Sequence, residues 1–154
     1  LAQLPKAYLW IAGDGKEEQA LKQQAAQLGI SNRVRFLGWR EDTPALLSAA
    51  DVFFCSSRHE PLGNIVLEAW AQGVPVVAAA SQGPSQLIED GKTGLLAPVD
   101  NAKELSRAIA RLLDDPSLGQ EITGHAHAEF TDKYSEGPVV AAYQEFFEKI
   151  RQTS

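Results

Sequence analysis

The chain of 154 residues is poor in sulfur, with one cysteine, Cys55, and no methionine. A lone cysteine excludes an intrachain disulfide and argues against the stapled frameworks of small extracellular domains. Cys55 stands in the apolar run Asp51-Val-Phe-Phe-Cys-Ser56, where a buried, inert thiol is expected. Positive charge is also short: 14 Lys and Arg stand against 20 Asp and Glu, giving a net charge of −6. Bulk binding to nucleic acid or to an anionic membrane wants a positive face, so both are set aside as partners. A local basic pocket for a phosphate remains compatible with this balance. No apolar run approaches the roughly 20 residues that span a bilayer. No secretory signal stands at the start. The opening Leu1-Ala-Gln-Leu-Pro5 carries no methionine, so the chain is expected to be a piece of a longer protein.

What is present suits a soluble globular domain: 44% of residues are hydrophobic and 22% charged. At this length about two-thirds of the unfolded surface can be buried, enough for a core without staples. One domain is expected over 1–154.

The order of elements alternates between strand and helix. Ala7-Tyr-Leu-Trp-Ile-Ala12 reads as a buried strand closed by the turn Gly13-Asp-Gly15. Leu21, Ala25 and Leu28 share one face of a helix over 17–28, which Gly29 stops. Val34-Arg-Phe-Leu37 is a second strand, closed by Gly38. A short helix follows, with Thr43 as N-cap and Pro44 in the first helical position. Residues 51–56 form a third strand, 63–72 a helix stopped by Gly73, and Val74-Pro-Val-Val-Ala78 a fourth strand. A short helix over 84–89, the turn Asp90-Gly-Lys-Thr-Gly94 and a fifth strand, Leu95-Leu-Ala97, come next. Three helices are expected over 101–113, 116–129 and 138–151, with Asn101 and Ser117 as candidate N-caps. Strands apolar along their whole length and separated by helices indicate a parallel sheet covered on both faces. The expected fold class is therefore a Rossmann-like, doubly wound α/β domain of three layers, α/β/α. Such sheets take ligands beyond the carboxyl ends of their strands, which directs attention to the loops 13–16, 38–42, 56–63 and 79–84.

The loop 56–63 is the most informative. It runs Ser56-Ser-Arg-His-Glu-Pro-Leu-Gly63 into a helix that is apolar nearly all round. A helix N-terminus offers free N–H groups and a partial positive charge to an anion such as a phosphate. Gly63 allows a ligand close to the backbone. Glu68 lies five residues on, about 7–8 Å along the axis, roughly the span from a diphosphate to its ribose. Its carboxylate could accept two hydrogen bonds from a ribose diol, and Glu60 would lie on the other side of the phosphate. Two plainer readings stay open: Glu60 as an acid that complements the helix dipole, and Glu68 as a solvent-facing charge. Gly83-Pro84-Ser85 approaches a ligand or merely connects strand to helix. Arg58 is a phosphate cation or a surface residue. Gly13-Asp-Gly15 departs from a dinucleotide fingerprint, because Glu18 stands where that motif wants Gly or Ala, and reads as a turn. His59, His125 and His127 have no ligand-spaced partners, so no metal site is expected. Tyr143, Phe146, Phe147 and Ile150 form a packing stripe on the last helix.

The run Glu60-Pro-Leu-Gly-Asn-Ile-Val-Leu-Glu68-Ala-Trp-Ala-Gln-Gly-Val-Pro-Val-Val resembles the E-x7-E signature of the family 4 retaining glycosyltransferases. Leu9-Trp-Ile-Ala-Gly-Asp-Gly15, Val34-Arg-Phe-Leu-Gly38, Ala50-Asp-Val-Phe-Phe-Cys-Ser-Ser57 and Glu89-Asp-Gly-Lys-Thr-Gly-Leu-Leu96 look like that family's other blocks, in its order. The resemblance covers essentially the whole chain. It implies the donor-binding, C-terminal half of a GT-B fold, transferring a hexosyl group from a UDP- or GDP-sugar to a glycan or lipid acceptor. Glu60 would be catalytic and face the donor sugar. Pro61, Leu62, Gly63, Asn64 and Ile65 would surround the diphosphate, Glu68 would bind the ribose, and Gly38 and Trp39 would lie near the base. No cofactor or metal is implied; the nucleoside-diphosphate sugar is the substrate. The family's Gly-Arg…Lys-Gly strand and its N-terminal acceptor domain are expected upstream. The piece alone is then expected to be inactive, with part of its final helix exposed and prone to self-association. A cytoplasmic enzyme of cell-envelope polysaccharide synthesis, peripheral to the inner face of the membrane, is the implied setting. The alternatives are a sugar-nucleotide 2-epimerase on a similar fold and a non-catalytic ligand-binding α/β module.

Overall fold

The computed structural model describes residues 1–153. The backbone forms two compact units, Leu1–Leu46 and the remainder from Leu47 onward.

In the first unit, β1 (Leu9–Ala12) and β2 (Val34–Gly38) pair in parallel, with Leu9 opposite Val34 and Ile11 opposite Phe36. The crossover is α1 (Glu18–Gln27). It stops as its glycine predicts. Gly29 takes φ 67°, and the Ile30 N–H returns to the Ala25 carbonyl at 2.9 Å. A 3-10 turn at Ser31–Arg33, not foreseen from sequence, follows. Its Arg33 guanidinium donates to the Leu4 and Ala7 carbonyls at 2.7 and 3.0 Å, tying the N-terminal segment down. Ala25, Ile30 and Val34 form the buried centre, flanked by Leu9, Ile11 and Phe36. The helix α2 (Thr43–Ser48) corrects one expectation. Its first hydrogen bonds run from the Ala45 and Leu46 amides to the Asp42 carbonyl, so Asp42 is the cap and Pro44 sits second.

In the second unit, β3 (Phe53–Cys55), β4 (Val76–Ala79) and β5 (Leu95–Ala97) pair in parallel in that order. All four residues of β4 are buried, and its side chains alternate between two clusters. Val76 and Ala78 pack with Cys55 and with Val66, Ala69 and Trp70 of α3 (Asn64–Ala71). Val77 packs with Leu95, with Ala108 and Leu112 of α5 (Ala102–Asp114), and with Ile122 of α6 (Pro116–Lys133). Successive strand residues face opposite sides, so helices cover both faces of this sheet. That is the three-layer α/β/α arrangement. Cys55 is a buried free thiol.

Several boundaries differ from the sequence reading for local reasons. Val74 does not begin β4, because its N–H closes the end of α3 on the Ala69 carbonyl while Gly73 takes φ 66°. The helix α4 (Gln82–Leu87) starts two residues early, as Ser85 bonds back to the Ser81 carbonyl at 3.0 Å. Asn101 caps α5 as expected, accepting from the Glu104 amide. Ser117 is not the cap of α6. Asp115 accepts the Leu118 amide at 3.1 Å, Pro116 takes the first helical position, and the Ser117 hydroxyl donates to Asp115. The last helix, α7, spans Glu136–Thr153. No helix among the described residues is long and apolar enough to cross a membrane.

Candidate functional site

Strands β3 and β4 are neighbours, so the segments leaving their carboxyl ends, residues 56–63 and 80–83, emerge side by side. This is where a parallel sheet presents a ligand crevice. The first segment ends at Gly63, which takes φ 74° and opens α3. A left-handed residue at that point turns the chain sharply into the helix, and glycine does so without strain. The Gly63 carbonyl receives the first helical amides, Val66 at 2.9 Å and Leu67 at 3.3 Å. Among the described residues, the amides of Asn64 and Ile65 have no protein acceptor. They are the free donors that a helix start carries.

Glu60 is half-buried and held at two points. Its Oε1 accepts the Gly63 N–H at 3.0 Å, and its carbonyl accepts the Gly83 N–H at 2.7 Å. The Gly63 amide, assigned from sequence to a diphosphate, is therefore engaged by Glu60, and the open pair is Asn64 and Ile65. The α3 helix is less uniformly buried than its composition suggests. Val66, Ala69 and Trp70 are buried and Ile65 and Leu67 half-buried, while Asn64 and Glu68 are exposed. The last two are four apart and share a face, about 6 Å apart along the axis. Glu68 thus presents an exposed carboxylate on the side of the open helix start, and no burial cost arises. Pro61 and Leu62 are exposed at the loop tip, Leu62 to 70%.

Gly83 is a further member of this group. A Cβ placed on it would meet Gly63 N at 2.5 Å, and the Glu60 oxygen and Leu62 carbonyl carbon at 2.7 Å. The only cue in the sequence is a glycine just after a strand end. Ser81, two residues earlier, is 5% exposed and its Oγ has no partner among the described residues. The Arg58 Nε lies 2.5 Å from Asp100 Oδ1 in an exposed ion pair. Such a pair contributes little to stability. Asp100 takes φ 61°, the one non-glycine positive φ among the described residues. His127 Nδ1 sits 3.1 Å from the Trp70 carbonyl, a packing position. A broad cavity of about 900 Å³ lies at the other end of the sheet, where Asp51 and Pro75 enter β3 and β4, away from the Glu60 loop.

In the first unit, Gly38 takes φ 65° at the end of β2, and its carbonyl accepts the Gly13 N–H at 2.7 Å. Gly13-Asp14-Gly15 is accordingly a turn pinned to β2. Trp39 follows, 74% exposed. Arg40 grips Asp42 through two bonds, at 2.8 and 2.6 Å. The hydrogen bond from Arg40 holds the Asp42 carboxyl below the usual carboxylate range.

An open helix start at the carboxyl ends of parallel strands, with helices on both sheet faces, defines a Rossmann-like α/β domain. The chain belongs to the glycosyl transferases of group 1, whose family model matches residues 1–128. It is 44% identical over 143 residues to the lipopolysaccharide core biosynthesis glycosyltransferase LpsE of Rhizobium meliloti, covering 93% of this chain and 42% of that protein. The crystal structure of Anabaena HepE with UDP superposes with a TM-score of 0.89 at 34% identity, covering 98% of this chain and 43% of that one. HepE with UDP-glucose gives 0.88 at 33% identity, with the same coverage. The chain thus spans about two-fifths of the length of these relatives.

Proposed function

We propose that this chain is the donor-binding half of a retaining glycosyltransferase that moves a hexosyl group from a nucleoside-diphosphate sugar to a glycan or lipid acceptor. The observation that carries the reading is the start of α3. Two open amides, of Asn64 and Ile65, stand between a pinned carboxylate, Glu60, and an exposed one, Glu68, one turn along. The helix dipole and the free amides suit a diphosphate. Glu68 then reaches the ribose, and Glu60 faces the sugar hydroxyls and supports reaction at the anomeric carbon. Pro61 and Leu62 form the loop wall. The ligands of the Anabaena HepE structures, UDP and UDP-glucose, favour a UDP-sugar over a GDP-sugar. The transferase relatives favour transfer over the 2-epimerase reading and over a non-catalytic module. The acceptor contacts belong to the remaining length that the relatives have. The working place of the enzyme is the cytoplasm, at the inner face of the membrane.

The test uses the full-length enzyme. Glu68→Ala raises the donor Kd with kcat nearly kept, whereas Glu60→Gln lowers kcat with Kd nearly kept. Equal and small effects of both refute the assignment. A UDP-sugar at about 100 times its Kd should stabilise the folded protein by about 2.7 kcal/mol, read as a thermal shift. NMR of the product fixes the anomeric outcome. Inversion would refute retention, and an epimerised nucleotide sugar would favour the epimerase.

A further inference from the structure

Gly83 has neither side chain nor charge, yet it touches the main chain of the Glu60 loop more closely than any other glycine approaches its surroundings. The Cβ it lacks would lie 2.5 to 2.7 Å from Gly63 N, Glu60 O and Leu62 C. All three are main-chain atoms, so no side-chain rotation relieves the contact. Gly83 is not in a positive-φ conformation, so alanine is compatible with its own backbone. Glycine is required here by proximity alone. Gly63 differs: its φ is 74°, and the closest atom to its missing Cβ is the mobile end of Leu87, Cδ1 at 2.7 Å.

We infer that Gly83 is a positioning residue that sets the Glu60 carboxylate from the start of α4. Its N–H fixes the Glu60 carbonyl at 2.7 Å, and the absence of a Cβ lets Gly63 settle where its own N–H meets Glu60 Oε1 at 3.0 Å. Main chain and side chain of Glu60 are thereby fixed together, from α4 on one side and the start of α3 on the other. Restoring an ordinary 3.4 Å contact around an alanine at 83 moves the loop by 0.7 to 0.9 Å. A shift of that size at a reacting group costs on the order of 100-fold in rate. The inference rests on the catalytic reading of Glu60.

The experiment is a kinetic cycle in the full-length enzyme with Gly83→Ala, Glu60→Gln and the double variant. Gly83→Ala should lower kcat by about 100-fold while the donor KM changes by less than about fivefold. The double variant should be no slower than Glu60→Gln, because both changes remove the same group's contribution. Gln82→Ala, an exposed neighbour, should keep the wild-type kcat. The inference is overturned if Gly83→Ala keeps kcat, if its loss lies wholly in KM, or if the two losses multiply. If Glu60→Gln itself keeps kcat, the catalytic reading of Glu60 is what fails. Should Gly83→Ala not fold, hydrogen exchange on the wild-type enzyme decides. A Gly83 amide protected as strongly as β4 supports the clamp, and one exchanging as an open loop amide removes it.

Discussion

Replacing Gly63 by alanine tests whether the start of α3 is built as described. Two costs can be worked out from the structure. The new Cβ must adopt φ 74°, a left-handed conformation worth about 1–2 kcal/mol against a residue with a Cβ. It would also sit 2.7 Å from Leu87 Cδ1 and 3.3 Å from the Gly83 carbonyl carbon. Overpacking of that kind costs about 1–3 kcal/mol. Against these, the less flexible unfolded chain returns about 0.4–1 kcal/mol. The net is a loss of about 1–5 kcal/mol, or roughly 2–20 °C in Tm for a domain of this size. The two costs separate in a double-mutant cycle with Leu87→Ala. Removing Cδ1 opens the space the new Cβ needs, so the double variant should be less unstable than the two losses added, by at least about 1 kcal/mol. The conformational cost remains in the double variant. Urea melts and scanning fluorimetry of the four proteins read this directly. A single variant losing under about 0.5 kcal/mol would refute the reasoning, since the unfolded-chain return of about 0.4–1 kcal/mol cannot cancel both costs. Strict additivity with Leu87→Ala would refute the packing argument while leaving the φ argument standing.

Three further outcomes are expected elsewhere in the molecule. Asn101→Ala removes the side-chain acceptor of the Glu104 amide at the start of α5 and should cost about 1 kcal/mol in urea melts. At Asp115, the hydrogen bond from Ser117 and then the Leu118 amide depress the carboxyl pKa in the folded state. A depressed folded pKa means stability that is present above the unfolded value and lost as pH falls through the folded one. Protection of the Leu118 amide should therefore hold at neutral pH and fade in acid, and Asp115→Asn should remove that acid dependence; an unchanged acid profile would contradict it. On α7, Tyr143, Phe146 and Phe147 are each more than half exposed, with Ile150 at 47%. The chain alone should bind a hydrophobic dye and elute above its monomer size, and the pair Tyr143→Ser and Phe147→Ser should reverse both; a monomeric, dye-free chain would contradict it.

How far the sequence carried depended on the range of the cause. Gly29 and Gly73 stop their helices as read, because a left-handed cap is a property of a few adjacent residues. The parallel, two-sided β4 was legible because its run is apolar without alternation. Its first residue was not. Val74 and Pro75 look like strand, but the Val74 amide is already committed to closing α3. Ser117 and Asp115 are both good caps by type, and Pro116 decides between them by taking the first helical position. In the candidate site, the Glu60–Glu68 stretch stood out because the residues proposed to act lie within nine consecutive positions. Gly83 was not, because the reason for that glycine is a backbone 20 positions earlier in the chain, visible only once β3 and β4 lie side by side.

The two glutamates share a motif but not an environment, and the difference bears on the division of labour proposed for them. Glu60 is half-buried, bonded through its carbonyl to Gly83 and through Oε1 to Gly63. One carboxylate oxygen is thereby fixed, and the other is left to meet a ligand. A group acting on a transition state gains from such fixation, because no reorganisation remains to be done at the moment of reaction. Glu68 has the opposite character. It is exposed, its carboxylate has no hydrogen-bond partner among the described residues, and what fixes it is the rigid α3 beneath it, whose Val66, Ala69 and Trp70 are fully buried. A free carboxylate on a stiff support suits a ribose diol, which needs both oxygens. Exchanging the roles would give the diol a carboxylate with one oxygen already bonded to an amide, and would give the reacting centre a side chain free to rotate.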